Sequence, residues 1–135
     1  MKENWVIPCN IKIFDIARHF ETSETAMWKK APGIKTGDIA YIYIGAPYSE
    51  ISFKCEVIND CVPSYLVAEK IEYAFVHKPK IEYIEIRRTA SFKKGALPLT
   101  KLKQFGLGQV QIQARTDRRL QRYLDASEAA ACEEV

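Results

Sequence analysis

Long apolar runs are missing from this sequence. No stretch approaches the roughly 18 consecutive apolar residues of a membrane-spanning helix, so no membrane partner is expected. Histidine is scarce, with only His19 and His77 present. The cysteines, at positions 9, 55, 61 and 132, fit neither a zinc site nor a disulfide framework. Neither a metal nor an organic cofactor is expected. Gly106-Leu-Gly108 is too short for a phosphate loop and follows a predicted helix rather than a strand. Ser91-Phe-Lys-Lys94 matches the short S-x-x-K pattern but lacks the companion motifs of the acyl-transfer enzymes that use it. His19 has no Cys or Ser motif beside it and reads as a surface or half-buried helix residue. The chain is therefore expected not to be an enzyme. Its N-terminus, Met1-Lys-Glu-Asn-Trp5, enters a strand with no signal-peptide pattern. A cytoplasmic protein with reduced thiols is the expectation.

What is present is the composition of an ordinary globular domain. At 135 residues the chain is long enough for one core. The expected division is a single domain over 1–128 and a frayed tail over 129–135. A formal net charge of +3 permits an anionic partner without requiring one.

The stretch from Lys35 to Ile58 organises the chain. Gly37-Asp38 is a turn signal. Ile39 to Ile44 is β-branched and aromatic, which predicts a strand, and it is apolar on both faces, so both should be covered. Gly45-Ala-Pro-Tyr-Ser49 breaks the run. Ile51 to Val57 then alternates, with Ile51, Phe53, Cys55 and Val57 on one side and Ser52, Lys54 and Glu56 on the other. The pair predicts a hairpin with a long loop that carries Tyr48.

Around it, Trp5 to Cys9 reads as a short strand, with Pro8 marking its end or a sheet edge. Asn10 suits a helix N-cap, and Ile13, Ile16, Ala17 and Phe20 predict an amphipathic helix over 11–21. Ala26 to Lys30 suits a short strand. Residues 65–77 fit either a strand extension or a short helix, and 78–80 a loop. Ile81 to Arg88 alternates, with Ile84 and Ile86 inward and Tyr83, Glu85 and Arg87 outward. Leu97 to Phe105 predicts a helix with Pro98 in its first turn and Gly106 at its end. Val110 to Gln113 suits a strand. Thr116 caps a last helix over about 117–129, with Leu120, Tyr123 and Leu124 as its buried side. Strands without regular βαβ alternation imply an α+β fold, and strands apolar on both faces suit a small curved barrel with helices outside.

Two kinds of residue remain as candidates for function. Aromatics concentrate in the first half: Trp5, Trp28, Tyr41, Tyr43, Tyr48 and Phe53. Their faces can sandwich a flat base or cage a methylated group, although Phe53 and one of Tyr41 and Tyr43 also suit plain core packing. Trp28 follows a polar run and adjoins Lys29 and Lys30, where a purely buried tryptophan is less expected. Basic residues fall into two groups. Arg87, Arg88, Lys93 and Lys94 surround one strand end. Arg115, Arg118, Arg119 and Arg122 share one face of the last helix by spacing. Arginine without lysine on that face suits phosphate contacts, against the alternative of a solvated charged face.

Several segments together resemble an EVE domain, a member of the PUA-like superfamily that includes YTH and ASCH domains. They are Trp5-Val-Ile-Pro-Cys-Asn10, Ala26-Met-Trp28, Ile34 to Tyr43, Ile51 to Val57, Leu99-Thr-Lys-Leu-Lys103 and Gln113-Ala-Arg115. The resemblance spans roughly residues 4–125. It implies a PUA-like small curved β-barrel with flanking helices. It also implies a module that reads a modified base flipped from DNA or RNA into an aromatic pocket. Trp28 is similar to the cage tryptophan that follows the first helix in YTH domains. Asn10 falls where polar pocket contacts follow the first strand, and Lys29 adjoins the cage. The second YTH cage tryptophan has no counterpart, and Tyr43 or Tyr48 would substitute. Lys30, Arg87, Arg88, Lys93, Lys94, Arg115, Arg118 and Arg119 would serve the nucleic-acid backbone. EVE domains also occur fused to restriction nucleases, so a fused or associated nuclease is a further implied partner, although this chain has no nuclease motif. The rival expectations are a PUA-like RNA binder that recognises shape without a modified base, and a sensor of a small nucleoside-like molecule.

The cysteine spacing makes one direct prediction. All four thiols should be free, so intact mass should be the same with and without reductant. A native mass lower by two hydrogens would reveal a disulfide.

Overall fold

Ile39–Ile44 is the central strand of the molecule. In the computed structural model, which describes residues 2–63, 82–108 and 113–131, this strand (β3) is buried along all six residues. The pleat sends Ala40, Ile42 and Ile44 to one face and Ile39, Tyr41 and Tyr43 to the other. Each face has its own covering layer, which is why the run shows no polar alternation.

Among the described residues five more strands build outward from β3. Strand β1 (Asn4–Cys9) pairs with it in parallel, and β4 (Glu50–Val62) pairs antiparallel through the 45–49 loop. Strand β5 (Tyr83–Ser91) lies against β4, and β2 (Thr25–Lys29) against β5. Strand β6 (Ala114–Arg115) pairs with Trp5 and Val6 of β1. The order is β2-β5-β4-β3-β1-β6. Pro8 lies past the reach of β6, so its missing N–H breaks no ladder there. The sheet does not close into the expected barrel. Two-residue β6 is too short to form a closing strand, and among the described residues the Gln113 side chain, donating to the Lys29 carbonyl at 2.8 Å, links its start to β2.

Helix α1 (Ile16–His19) packs Ile16 and the following Phe20 onto one face of the sheet. Helices α2 (Leu99–Gln104) and α3 (Arg118–Ala131) cover the other, burying Leu102, Leu120 and Leu124 against Tyr41, Tyr43 and Phe92. Lys54 of β4 meets Glu128 of α3 at 3.0 Å, and Gln121 of α3 donates to the Tyr41 hydroxyl at 3.1 Å. The fold is thus α+β, as predicted.

Several local expectations are corrected. The helix expected over 11–21 is one turn over 16–19. Asn10 does not cap it: its side chain accepts from the Lys12 N–H and its carbonyl from Ile13 and Phe14, closing a turn that leaves Ile13 exposed. Asp15 is the cap, accepting from the Arg18 N–H at 3.1 Å. At α3 the cap is Asp117, accepting from Leu120 N–H at 2.8 Å, while Thr116 donates to Gln121. Pro98 stands at the N-cap of α2 rather than inside it. A register slip beside Tyr43 sets Ile51 opposite that residue, so Ile51 joins the α3 layer and parts from Phe53, Cys55 and Val57. Tyr83 is covered by Met27 and Val62 instead of facing water. His19 is buried, with Nε2 at 2.6 Å from the Thr25 carbonyl. Helix α3 runs two residues past its expected end, into the proposed tail. The expectations for 65–80 and 110–112, and for His77 and Cys132, lie outside the described residues.

One carboxylate ties the parallel pair together. Asp38 is 2 % exposed and accepts from the Glu3 N–H, the Lys35 N–H and the Trp5 indole, each at 3.0 Å. Burial opposes its ionisation, but these bonds and the Lys35 charge outweigh burial and hold its pKa below the ordinary 3.8. A depressed folded pKa gives stability that is complete above the unfolded pKa and is lost as pH falls through the folded one. Asp38→Ala should therefore cost about 1.5–3 kcal/mol at neutral pH. Urea titrations from pH 6 downward should show a shallower acid loss in Asp38→Asn than in the native chain.

Candidate functional site

The ends of β3 and β4 and the loop between them form one wall of a cleft of about 640 Å³, and α1 forms the other. Ile11, Ile44 and Phe53 give it an apolar floor. Phe53 is held edge-on by Phe20, centroids 5.0 Å apart, and the Arg88 guanidinium lies 5.3 Å from the Phe20 ring. Tyr48 rises from the loop, 46 % exposed, with Lys94 Nζ at 5.8 Å from its ring centroid. Arg18 and Lys94 add positive charge to the walls, Asp15 and Glu21 negative charge.

Glu50 opens β4 and lines the same cleft, yet is only 7 % exposed. Its Oε2 accepts from the Gly95 N–H at 2.6 Å. Gly95 has φ +80°, a conformation that glycine adopts without strain, and the turn before it carries Lys94 into the cleft wall.

The predicted pocket residues separate. Asn10 and Tyr43 line a second, smaller cavity of about 410 Å³ at the carboxyl ends of β1 and β3, with Pro8, Cys9 and Lys12. Burial pushes the Cys9 thiol up to about 12, so it is no nucleophile at neutral pH. Tyr48 belongs to the larger cleft. Trp28 lines neither: it stacks on Phe14 at 5.5 Å and packs against the α1 layer. Lys29 beside it is exposed.

The basic residues also divide. Arg87 pairs with Glu56 at 2.9 Å, and Arg88 packs on Phe20. Lys30 donates its backbone N–H to Glu82. Arg115 is on β6, not on the last helix, and its guanidinium lies 5.0 Å from the Trp5 ring. Arg118, Arg119 and Arg122 do share a face of α3. With Phe105 and Tyr123, stacked at 4.1 Å, they line a shallow hollow of about 640 Å³. Among the described residues none of these three arginines has an ion-pair partner.

Sequence reasoning missed Arg18 and Glu50. Glu50 does leave a signal, an acid between a turn and an alternating apolar strand, where a solvent-facing end was the simpler reading. No group of three or more His, Cys, Asp or Glu is placed to hold a metal among the described residues.

No family model matches the sequence, and no curated protein matches it. Solved structures do. The ASCH protein of Zymomonas mobilis superposes with a TM-score of 0.66 at 11% identity, over 98% of both chains. Human THYN1, in complex with DNA containing 5-methylcytosine, superposes with a TM-score of 0.65 at 15% identity, over 99% of this chain and all of that one. The chain shares the fold of these two structures. A hypothetical protein from Leishmania major shares it at a TM-score of 0.64 and 15% identity, over 96% of this chain and 97% of that one. The likeness runs through nearly the whole chain and not one motif of it.

Trp28 offers a direct check on the pocket that the resemblance implies. As packing on Phe14, Trp28→Ala should lower stability toward the lower end of the about 3–5 kcal/mol of a core tryptophan. Binding by the folded fraction should then be normal. Thermal melts beside binding curves separate this from a cage role, in which a modified strand loses more than a plain one.

Proposed function

We propose that the chain is a non-catalytic, cytoplasmic nucleic-acid-binding module that takes one flipped, modified base into the cleft between α1 and the 45–49 loop. The cleft carries this reading. It has room for a base, an aromatic wall in Tyr48, an apolar floor, and Arg18 and Lys94 among the charged groups of its walls. The DNA complex of THYN1, which has the same fold, supports it. Flipping a base costs a few kcal/mol of unstacking, and stacking on an aromatic returns about 1–3 kcal/mol. Contacts to the strand must add the remainder. Arg118, Arg119 and Arg122 suit that role, because no carboxylate among the described residues neutralises them.

Oligonucleotides with and without base modifications, as DNA and as RNA, test the proposal by fluorescence anisotropy. Tyr48→Ala should weaken the modified strand by about 5- to 150-fold, the loss of one stacked base. Arg118→Gln with Arg119→Gln should weaken modified and plain strands alike. That pair should also flatten the salt slope by about 0.7–0.9 per lost phosphate contact. Plain RNA bound as tightly as any modified strand would instead mark a reader of shape. Tight binding of a free nucleoside with no gain from the strand would mark a small-molecule sensor.

A further inference from the structure

Glu50 is the one carboxylate in the cleft that is more than nine-tenths buried. Asp15 and Glu21, the other two acids on its walls, are less enclosed. A carboxylate presents about four acceptor sites. Among the described residues only the Gly95 N–H uses one of them, and no cation pairs with Glu50. No Glu50 oxygen is among the enclosed side-chain atoms that lack a partner, so the unused capacity faces the cleft opening, where a ligand can supply donors.

Taking the cleft as the base site, on which this inference rests, we propose that Glu50 is its specificity-determining residue. The carboxylate accepts from the exocyclic amino group of the flipped base, as carboxylates do from the cytosine amino group in duplex readout. Bases with that group are favoured. Thymine and uracil are not, because their one edge donor sits between two carbonyl oxygens that repel a carboxylate. Tyr48 supplies the stacking, which every base offers equally. Glu50 supplies the choice.

The test uses single-stranded oligonucleotides that differ at one central nucleotide: cytosine, 5-methylcytosine, adenine, thymine or uracil. The native chain should prefer the amino-bearing bases by on the order of tenfold. Glu50→Gln keeps an oxygen for the Gly95 N–H, so its melting temperature should hold. It loses the charge and gains a donor, so the preference should shrink to about twofold or reverse. A purely structural Glu50 would leave the preference intact, and that result overturns the proposal. So does a native chain with no preference, whether or not the variant folds. Cytidine against uridine as competitors on the native chain checks the same choice without any substitution, and equal competition overturns it too. If no strand binds in a Tyr48-dependent way, the base-binding reading itself fails, and this inference with it. If Tyr48→Ala weakens every strand but no amino preference exists, only the role of Glu50 fails.

Discussion

Three hydrogen bonds to one buried carboxylate set the register on which the molecule depends. Asp38 holds the Glu3 and Lys35 backbone amides and the Trp5 indole at once. It thereby pins the start of β1 beside the start of β3. Parallel strands have no hairpin to fix their alignment, and a slip of one residue would turn Val6 and Ile7 to the wrong layers. With the register fixed, the carboxyl ends of β1 and β3 finish together at Cys9 and Ile44. The 45–49 loop and the 10–15 turn both leave from that end, and the cavities form between them. The position of the candidate site is thus set at the opposite end of the strands from the bond that fixes it.

A strand buried on both faces divides the protein into two unequal layers. The α1 side is thin, one helical turn supplemented by Phe14, Phe20, Trp28 and Phe53. The α2 and α3 side is a conventional helical cover. Short helices leave side chains to do the covering, and aromatic rings cover most area per residue. Trp5, Phe14, Phe20, Trp28 and Phe53 answer this need before any ligand is invoked, while Tyr41 and Tyr43 belong to the other layer. The cleft opens along the thin side, where a single turn cannot span the sheet.

Legibility in the sequence followed how local the cause was. Strand β3 and the hairpin were readable because period and burial agree there. The last helix was readable from Leu120 and Leu124, and Gly106 from its place past α2. The 11–21 helix was misread because Asn10 can cap a helix or close a turn, and its own carbonyl decides, by taking two amides at once. Ile51 was misplaced because a bulge leaves no mark in an alternating pattern. The open sheet was beyond reach too, since closure depends on the length of a strand far along the chain. At the candidate site, Tyr48 was recognisable from its loop. Glu50 was not, because its burial comes from Gly95 and its neighbours, 45 residues on.

The modest net charge hides an uneven field. Arg87 and Lys54 are paired with Glu56 and Glu128, and contribute little beyond their own neighbourhoods. The three arginines of α3 lack such partners among the described residues, and Arg119 lies over the Phe105 ring, which leaves its charge intact. Positive potential therefore concentrates on the α3 face and at the Lys93-Lys94 turn. At physiological salt it decays over roughly 8 Å, so each patch attracts an anionic strand only at close range. A nucleic acid held at either patch is not steered from afar by the whole molecule. On the proposed reading its choice of site comes from contact, and the burden of selectivity falls on the few enclosed groups of the cleft.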